Sequence, residues 1–456
     1  MIAPPESTMT TAYGSTIEAV AYGLVDGGTR IVTGYPGFHA QDILAAVGGV
    51  VSINERTAYS IAWGAALAGQ RAAVVLKNVG LNDAADPFIN SINLRTSAGL
   101  VVIVLDDIEV AGSQCRQDSR HFFDLAPGLW LEPISASHAY SCTRTAMSLA
   151  EALGVPIVIR LTNQTLRSVG KFRREPNTEL SSTFRRDPVG CVAHPMNVAA
   201  QRIANDYRAR RIARFVECQF TPAISITNHT VAVGSAFPVD GRDYSHFWTY
   251  PLPGDGLRKS VVGTGPIDVF ESGSRFATEK IQVMLGRRAA TCTDESGVAD
   301  HSKSFRSSDC FDSLFAAIRS IDGRIVVGDL GSYTMDRYRT IDACLCYGAS
   351  VAVAMGCRLA GNSYRVFCVT GDAAFLHSGK AAMEEAIARG IQLTIILIDN
   401  GGAVSTGGQS LPAAVAFTGV ECVARVKQGQ ISVPEYRQLL IQLSKHPGIS
   451  VLHLEV

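Results

Sequence analysis

The chain has 456 residues, 47% hydrophobic and 18% charged, and Lys plus Arg (41) balances Asp plus Glu (41). So much apolar residue suits two or three packed domains and excludes a largely disordered chain. The balanced charge excludes a strongly basic nucleic-acid binder or a polybasic membrane-surface protein.

The first fourteen residues carry no apolar signal core. Hydrophobic periodicity then predicts a helix over 16–26 and a strand over 30–33 that ends in Gly34-Tyr35-Pro36-Gly37. A helix over 41–47, a strand over 50–53 leading to Asn54-Glu55, an Ala-rich helix over 57–68 and a strand over 72–76 follow. Residues 100–105 and 155–161 are apolar strands, the first followed by Asp106-Asp107. Near-continuous apolar strands separated by helices predict a parallel sheet covered on both faces.

Residues 171–310 read as a middle region of different character, with a charged helix over 197–213 and a strand-like piece over 231–233. Its arginines suit a solvated face or a partner-docking surface. From 311 the alternation resumes. Strands are predicted over 324–327, 365–370, 392–398 and 449–454, and helices over 348–359, 378–389 and 434–443. The fold class is therefore α/β, with two parallel-sheet domains (1–170 and 311–456) flanking a middle domain (171–310). No apolar run is long enough to cross a bilayer, so the protein reads as soluble and cytoplasmic. The eleven cysteines are scattered and form no Cys-x-x-Cys pair. Cys344-x-Cys346 reads as core thiols in a reducing compartment.

Two strand ends carry the chemistry. Gly371-Asp372 and Asp399-Asn400-x-Gly402 are joined by one helix, and ligands of open α/β sheets bind outside such carboxyl ends. Glycine lets backbone N–H groups approach an anion. Asp372 and the Asn400 side-chain oxygen are hard ligands suited to Mg²⁺ with phosphate oxygens. The spacing could hold a magnesium diphosphate; each piece alone is also a common loop.

At this point the sequence resembles thiamine-diphosphate enzymes, and most closely the catalytic subunit of indolepyruvate ferredoxin oxidoreductase. The residues that carry the likeness are 371–379 and 396–400, then 327–334, 347–350, Gly34-Tyr-Pro-Gly37, Asn54-Glu55, 77–82, 84–87, 113–114 and 117–120. The resemblance covers both end domains and weakens between them. It implies a pyrimidine-binding domain over 1–170 and a diphosphate-binding domain over 311–456. It implies thiamine diphosphate held by Tyr35, Pro36, Gly37, Glu55, Asn78, Gly331, Gly348, Ala349, Gly371, Asp372, Ala373, Asn400 and Gly402. Asp372, Asn400 and the Gly402 carbonyl would bind Mg²⁺. Glu55 would hydrogen-bond the aminopyrimidine and so promote loss of the thiazolium C2 proton; the bland alternative is an acid stabilised by its helix N-terminus. The two domains that share a cofactor usually come from different subunits in such enzymes, which implies a homodimer with sites between chains.

Departures from the family pattern shape the expected reaction. The related oxidoreductases carry clustered cysteines, commonly in a C-terminal extension, whereas this sequence ends about where the diphosphate domain ends. A non-oxidative fate of the enamine is therefore expected after decarboxylation of a 2-oxo acid, with an aryl pyruvate such as indolepyruvate as the example. The product is an aldehyde, or an acyloin formed on a carbonyl or acyl acceptor. Phe38-His39-Ala40-Gln41 replaces the usual Thr-Pro-Ser-Ser, Asn78 replaces a His, and the loop 402–408 is altered. His39 and His377 are candidate proton shuttles because imidazole titrates near neutral pH; a structural hydrogen-bonded role is the alternative for each. Two other readings stand beside this one. One is a ferredoxin-linked oxidoreductase subunit with clusters on a partner chain. The other is a non-catalytic binding protein, suggested by Gly-Asp-Ala in place of Gly-Asp-Gly.

Overall fold

The computed structural model describes residues 9–126, 128–175, 183–220, 248–250, 311–404 and 407–456. The strand-like piece expected over 231–233 lies outside them.

The strands in chain order are β1 (Thr10–Ser15), β2 (Ile31–Gly34), β3 (Val50–Val51), β4 (Ala72–Lys77), β5 (Leu100–Asp106), β6 (Leu129–Glu132) and β7 (Ile157–Thr162). They continue with β8 (Val169–Arg174), β9 (Trp248–Tyr250), β10 (Arg324–Gly328), β11 (Arg365–Gly371), β12 (Leu393–Asp399), β13 (Cys422–Lys427) and β14 (Ile449–Glu455). One sheet has the order β3-β2-β4-β5-β7-β6-β9; all its pairings are parallel except that of β9 with β6. A second sheet, β10-β11-β12-β14-β13, is parallel throughout. The two parallel-sheet domains expected from the sequence are thus present. Every residue of β5 is buried, as a strand covered on both faces must be. The antiparallel pair β1–β8 joins Thr10 to Arg174, so the first domain's secondary structure runs past the expected boundary at 170.

The helix Glu55–Leu67 is buried at every position from Thr57 to Leu67. It lies between its own sheet and the helix Ser350–Leu359 of the second domain. Small residues make the crossing possible. A Cβ on Gly64 would lie 2.1 Å from the Val353 carbonyl oxygen, and one on Gly356 would lie 2.0 Å from the Ile61 carbonyl oxygen. Each helix thus offers a glycine to the other's backbone. One hydrophobic core runs through both helices and both sheets, from Val74 and Val102 to Ile395 and Val451.

Some elements differ from expectation. The charged helix runs Val198–Phe220. The helix expected from 348 starts at Ser350 because Gly348 has φ +76°. Instead of beginning at 378, helical structure begins at Asp372 and passes through a π turn at Phe375–Gly379 before continuing as Lys380–Ala388. β13 and the helix Ala136–Leu153 were not anticipated. Among the described residues no helix is long and apolar enough to cross a membrane.

Candidate active site

β10, β11 and β12 are neighbours, and their carboxyl ends place Gly328-Asp329, Gly371-Asp372 and Asp399-Asn400 along one edge. A cavity of about 990 Å³ opens there, lined by Gly331, Tyr333, Gly371, Asp372, Ala373, Asn400 and Gly402 among others. Tyr333 is buried and its hydroxyl accepts the Gly371 N–H at 3.1 Å. Beneath the edge Asp329 is fully buried and accepts the hydroxyls of Ser350 and Thr370. Burial pushes its carboxyl up, against those hydrogen bonds.

Asp372 is 3% exposed. Its carboxylate accepts the Ala373 N–H at 2.8 Å and the Gly402 N–H at 2.9 Å, which ties the two strand-end loops together. Burial raises its carboxyl above the ordinary range, and the charge of Asp399 adds to this. The neighbouring Asn400 Oδ1 is buried and accepts no hydrogen bond. Buried polar atoms rarely go unpaired, so this oxygen, beside a carboxylate, suits a hard cation such as Mg²⁺. The residues present therefore fit the expected metal and diphosphate.

In the first parallel-sheet domain, Asn54 caps the helix with its side chain on the Thr57 N–H at 2.7 Å, and Glu55 is the first helical residue. Glu55 is half-buried. Burial raises its carboxyl, with a further push from the charge of Asp83. The end of β4 leaves room for it: a Cβ on Gly80 would sit 2.6 Å from Glu55 Oε1.

The halves meet within one chain. The Arg56 guanidinium binds Asp86 at 2.8 Å and the Tyr347 carbonyl, and Tyr347 lines the cavity. The Ile53 N–H donates to Glu385 at 2.9 Å. These contacts join the start of the Glu55 helix to the second parallel-sheet domain of the same chain.

The other expected residues divide. Gly348, with φ +76°, packs against His377 and the Ala374 carbonyl, where a Cβ would be about 3.1 Å away from each, and buried Ala349 follows it. His377 lies in the π turn, its ring 5.2 Å from that of Tyr347 and its Nδ1 2.6 Å from Ser378 Oγ. Tyr35 and Pro36 are exposed at the end of β2, and Gly37 lies over the Lys77 stem. His39 has φ +63°, follows Phe38 at φ +29°, and holds Asp42 through Nδ1 at 2.7 Å. Asn78 follows the end of β4. It is fully buried, its amide donates to the Gln117 carbonyl, and its oxygen accepts the Val79 N–H. These bonds tie the end of β4 to the loop at Gln117.

The sequence reading missed Ala193 and Pro195, which line the cavity. They belong to a strap from the middle region. The Ala193 N–H donates to the Cys344 carbonyl, the Cys344 N–H to the Cys191 carbonyl, and the Arg95 N–H to the Gly190 carbonyl. Its one local sign was Asp187-Pro188, a capped helix start.

The domain that carries the strand-end site can now be placed. Residues 328–436 match the family described as thiamine pyrophosphate enzyme, C-terminal TPP binding domain. Over most of its length the chain is similar to indolepyruvate oxidoreductase subunit IorA of Methanothermobacter thermautotrophicus, with 24% identity over 87% of this chain and 76% of that protein. It is similar to the same subunit of Thermococcus kodakarensis, with 26% identity over 86% and 75%. Two solved structures share its fold. One, from Mycobacterium smegmatis and assigned as a thiamin diphosphate-dependent enzyme, has a TM-score of 0.53 and 16% identity over 97% of this chain and 99% of that one. The other, benzoylformate decarboxylase from Polynucleobacter necessarius, has a TM-score of 0.50 and 13% identity over 97% and 98%.

Proposed function

We propose that this chain is a thiamine-diphosphate- and Mg²⁺-dependent enzyme that decarboxylates a 2-oxo acid and releases the product unoxidised, as an aldehyde or an acyloin. The observation that carries this is the pairing of Asp372 with the unpartnered Asn400 oxygen, on a TPP-binding domain against which the Glu55 helix is docked. The cofactor supplies a carbon nucleophile and an electron sink.

The chain's own residues do the rest. Asp372, Asn400 and the Gly402 carbonyl would hold the cation. Glu55, its carboxyl raised by burial, holds and returns a proton at the pyrimidine. His377 and His39 each have Nδ1 engaged, by Ser378 and Asp42, so proton exchange falls to Nε2.

Two things favour the unoxidised outcome and its substrate. Among the described residues the cysteines are free thiols, most of them buried, with burial pushing Cys191 up to about 12 and Cys142 well above its ordinary value, and no group of three or more His, Cys, Asp and Glu side chains could hold a metal ion. An aryl pyruvate is suggested by the relatives' names. Assembly as a homodimer is part of the proposal.

The test incubates the full chain with thiamine diphosphate, Mg²⁺ and a panel of 2-oxo acids, with CO₂ and products read by mass spectrometry. Aldehyde or ketol without an added electron acceptor supports the reading; no CO₂ from any acid overturns it. A second reading, a ferredoxin-linked oxidoreductase subunit, is favoured by the similarity to the IorA subunits. It predicts turnover only with an acceptor dye or an added redox partner. Binding of the cofactor without turnover under either condition favours a non-catalytic role.

A further inference from the structure

The residue just before Asn400 is held from three directions. Asp399 Oδ1 accepts the Gly401 N–H at 3.2 Å, its carbonyl accepts the Val456 N–H at 2.9 Å, and its Oδ2 lies 2.8 Å from His453 Nε2. On the far side of the ring, His453 Nδ1 lies 2.8 Å from Arg425 Nη1. A guanidinium only donates, so Nδ1 is the acceptor and the ring proton sits on Nε2, which donates to Asp399. The three residues come from adjacent strands, with Arg425 of β13 directly opposite His453 of β14. His453 is 6% exposed, and its ring packs on Phe417 at 5.5 Å. Phe417 also packs on Phe375, at 5.9 Å, one residue beyond the Asp372–Ala374 turn. The loop with Asn400 and the turn with Asp372 therefore rest on one shared support.

We propose that Arg425, His453 and Asp399 form a positioning chain that holds the Asn400–Gly402 loop ready for a divalent cation. The free Asn400 oxygen is the reason a support is needed: no described residue hydrogen-bonds that atom. A loop without the chain would lose affinity through its added freedom. The proposal deepens the reading of this site as a Mg²⁺-diphosphate site and rests on it.

The test measures Mn²⁺ affinity of the full chain with thiamine diphosphate present, by electron paramagnetic resonance of the free ion. His453→Phe keeps the ring packing and removes both hydrogen bonds. It is expected to weaken Mn²⁺ binding roughly tenfold or more, the usual cost of losing an outer partner at a metal site. His453→Gln can accept from Arg425 and donate to Asp399, and is expected to recover most of that loss. Arg425→Met, on the edge strand, is the independent check if His453→Phe fails to fold, and should weaken binding in the same direction. Equal affinity in wild type and His453→Phe, or equal losses in the Phe and Gln variants, overturns the positioning chain while leaving the cofactor reading intact. A wild-type chain that binds no Mn²⁺ overturns both.

Discussion

Glu55 shows how a residue set up for chemistry weighs on stability. Its folded-state carboxyl is raised from an ordinary value of 4.5 by burial and then by Asp83. The folded protein therefore holds a proton that the unfolded chain releases, and stability falls as pH rises through the window above 4.5. Glu55→Gln removes that loss. It is expected to raise the melting temperature of the cofactor-free protein at pH 7 by about 1–3 °C, with the gain disappearing as the pH is lowered to 4. The same substitution should lower kcat by about 10²–10⁴-fold, the usual contribution of such proton transfer, while cofactor binding survives. Asn400 offers the mirror case. Asn400→Leu discards an unpaired buried oxygen and should change cofactor-free stability by less than about 1 kcal/mol. It should also abolish the melting shift produced by Mg²⁺ with thiamine diphosphate, as measured by scanning calorimetry. Asn400 was legible because it directly follows a strand end, whereas Glu55 was singled out only by the resemblance. That the Asn78 amide bonds Gln117 was not legible, because one position in a loop does not say which way an amide turns.

At the scale of elements, the two helices that cross at Gly64 and Gly356 decide how close the sheets lie. Gly64→Ala places a methyl against a backbone carbonyl that cannot move aside. It is expected to cost about 1–3 kcal/mol, as overpacking does, read as a lower denaturation midpoint. The Ala-rich run over 57–68 signalled a buried helix, but periodicity could not name its partner, which is nearly 300 residues away in sequence. The π turn at Phe375–Gly379 was equally hidden. A helical pattern with one extra residue looks like a helix with a later start, and such turns gather at functional sites. β13 was missed because exposed Arg425 and Lys427 interrupt its half-buried apolar residues, leaving no continuous apolar run like that of its buried neighbours. The strap over 187–197 pairs by single bridges, which leave almost no periodic trace.

For the whole molecule, the sequence made two parallel-sheet domains visible, since buried strands are apolar wherever they sit. It did not show that the domains dock in one chain, since that depends on Arg56 meeting the Tyr347 carbonyl and on two glycines meeting two backbones. Coexpression tests the arrangement directly. Glu55→Gln and Asp372→Asn chains in one assembly should recover no activity, because each chain spoils its own site; recovery would place the sites between chains. The docking also bears on how the enzyme responds to concentration. A site shared by two protomers is lost on dilution, as mass action separates them. If one chain holds the whole site, its two parallel-sheet domains are already tethered and packed, and their local concentration is set by the chain itself. Specific activity should therefore hold steady into the nanomolar range, even where any dimer has come apart.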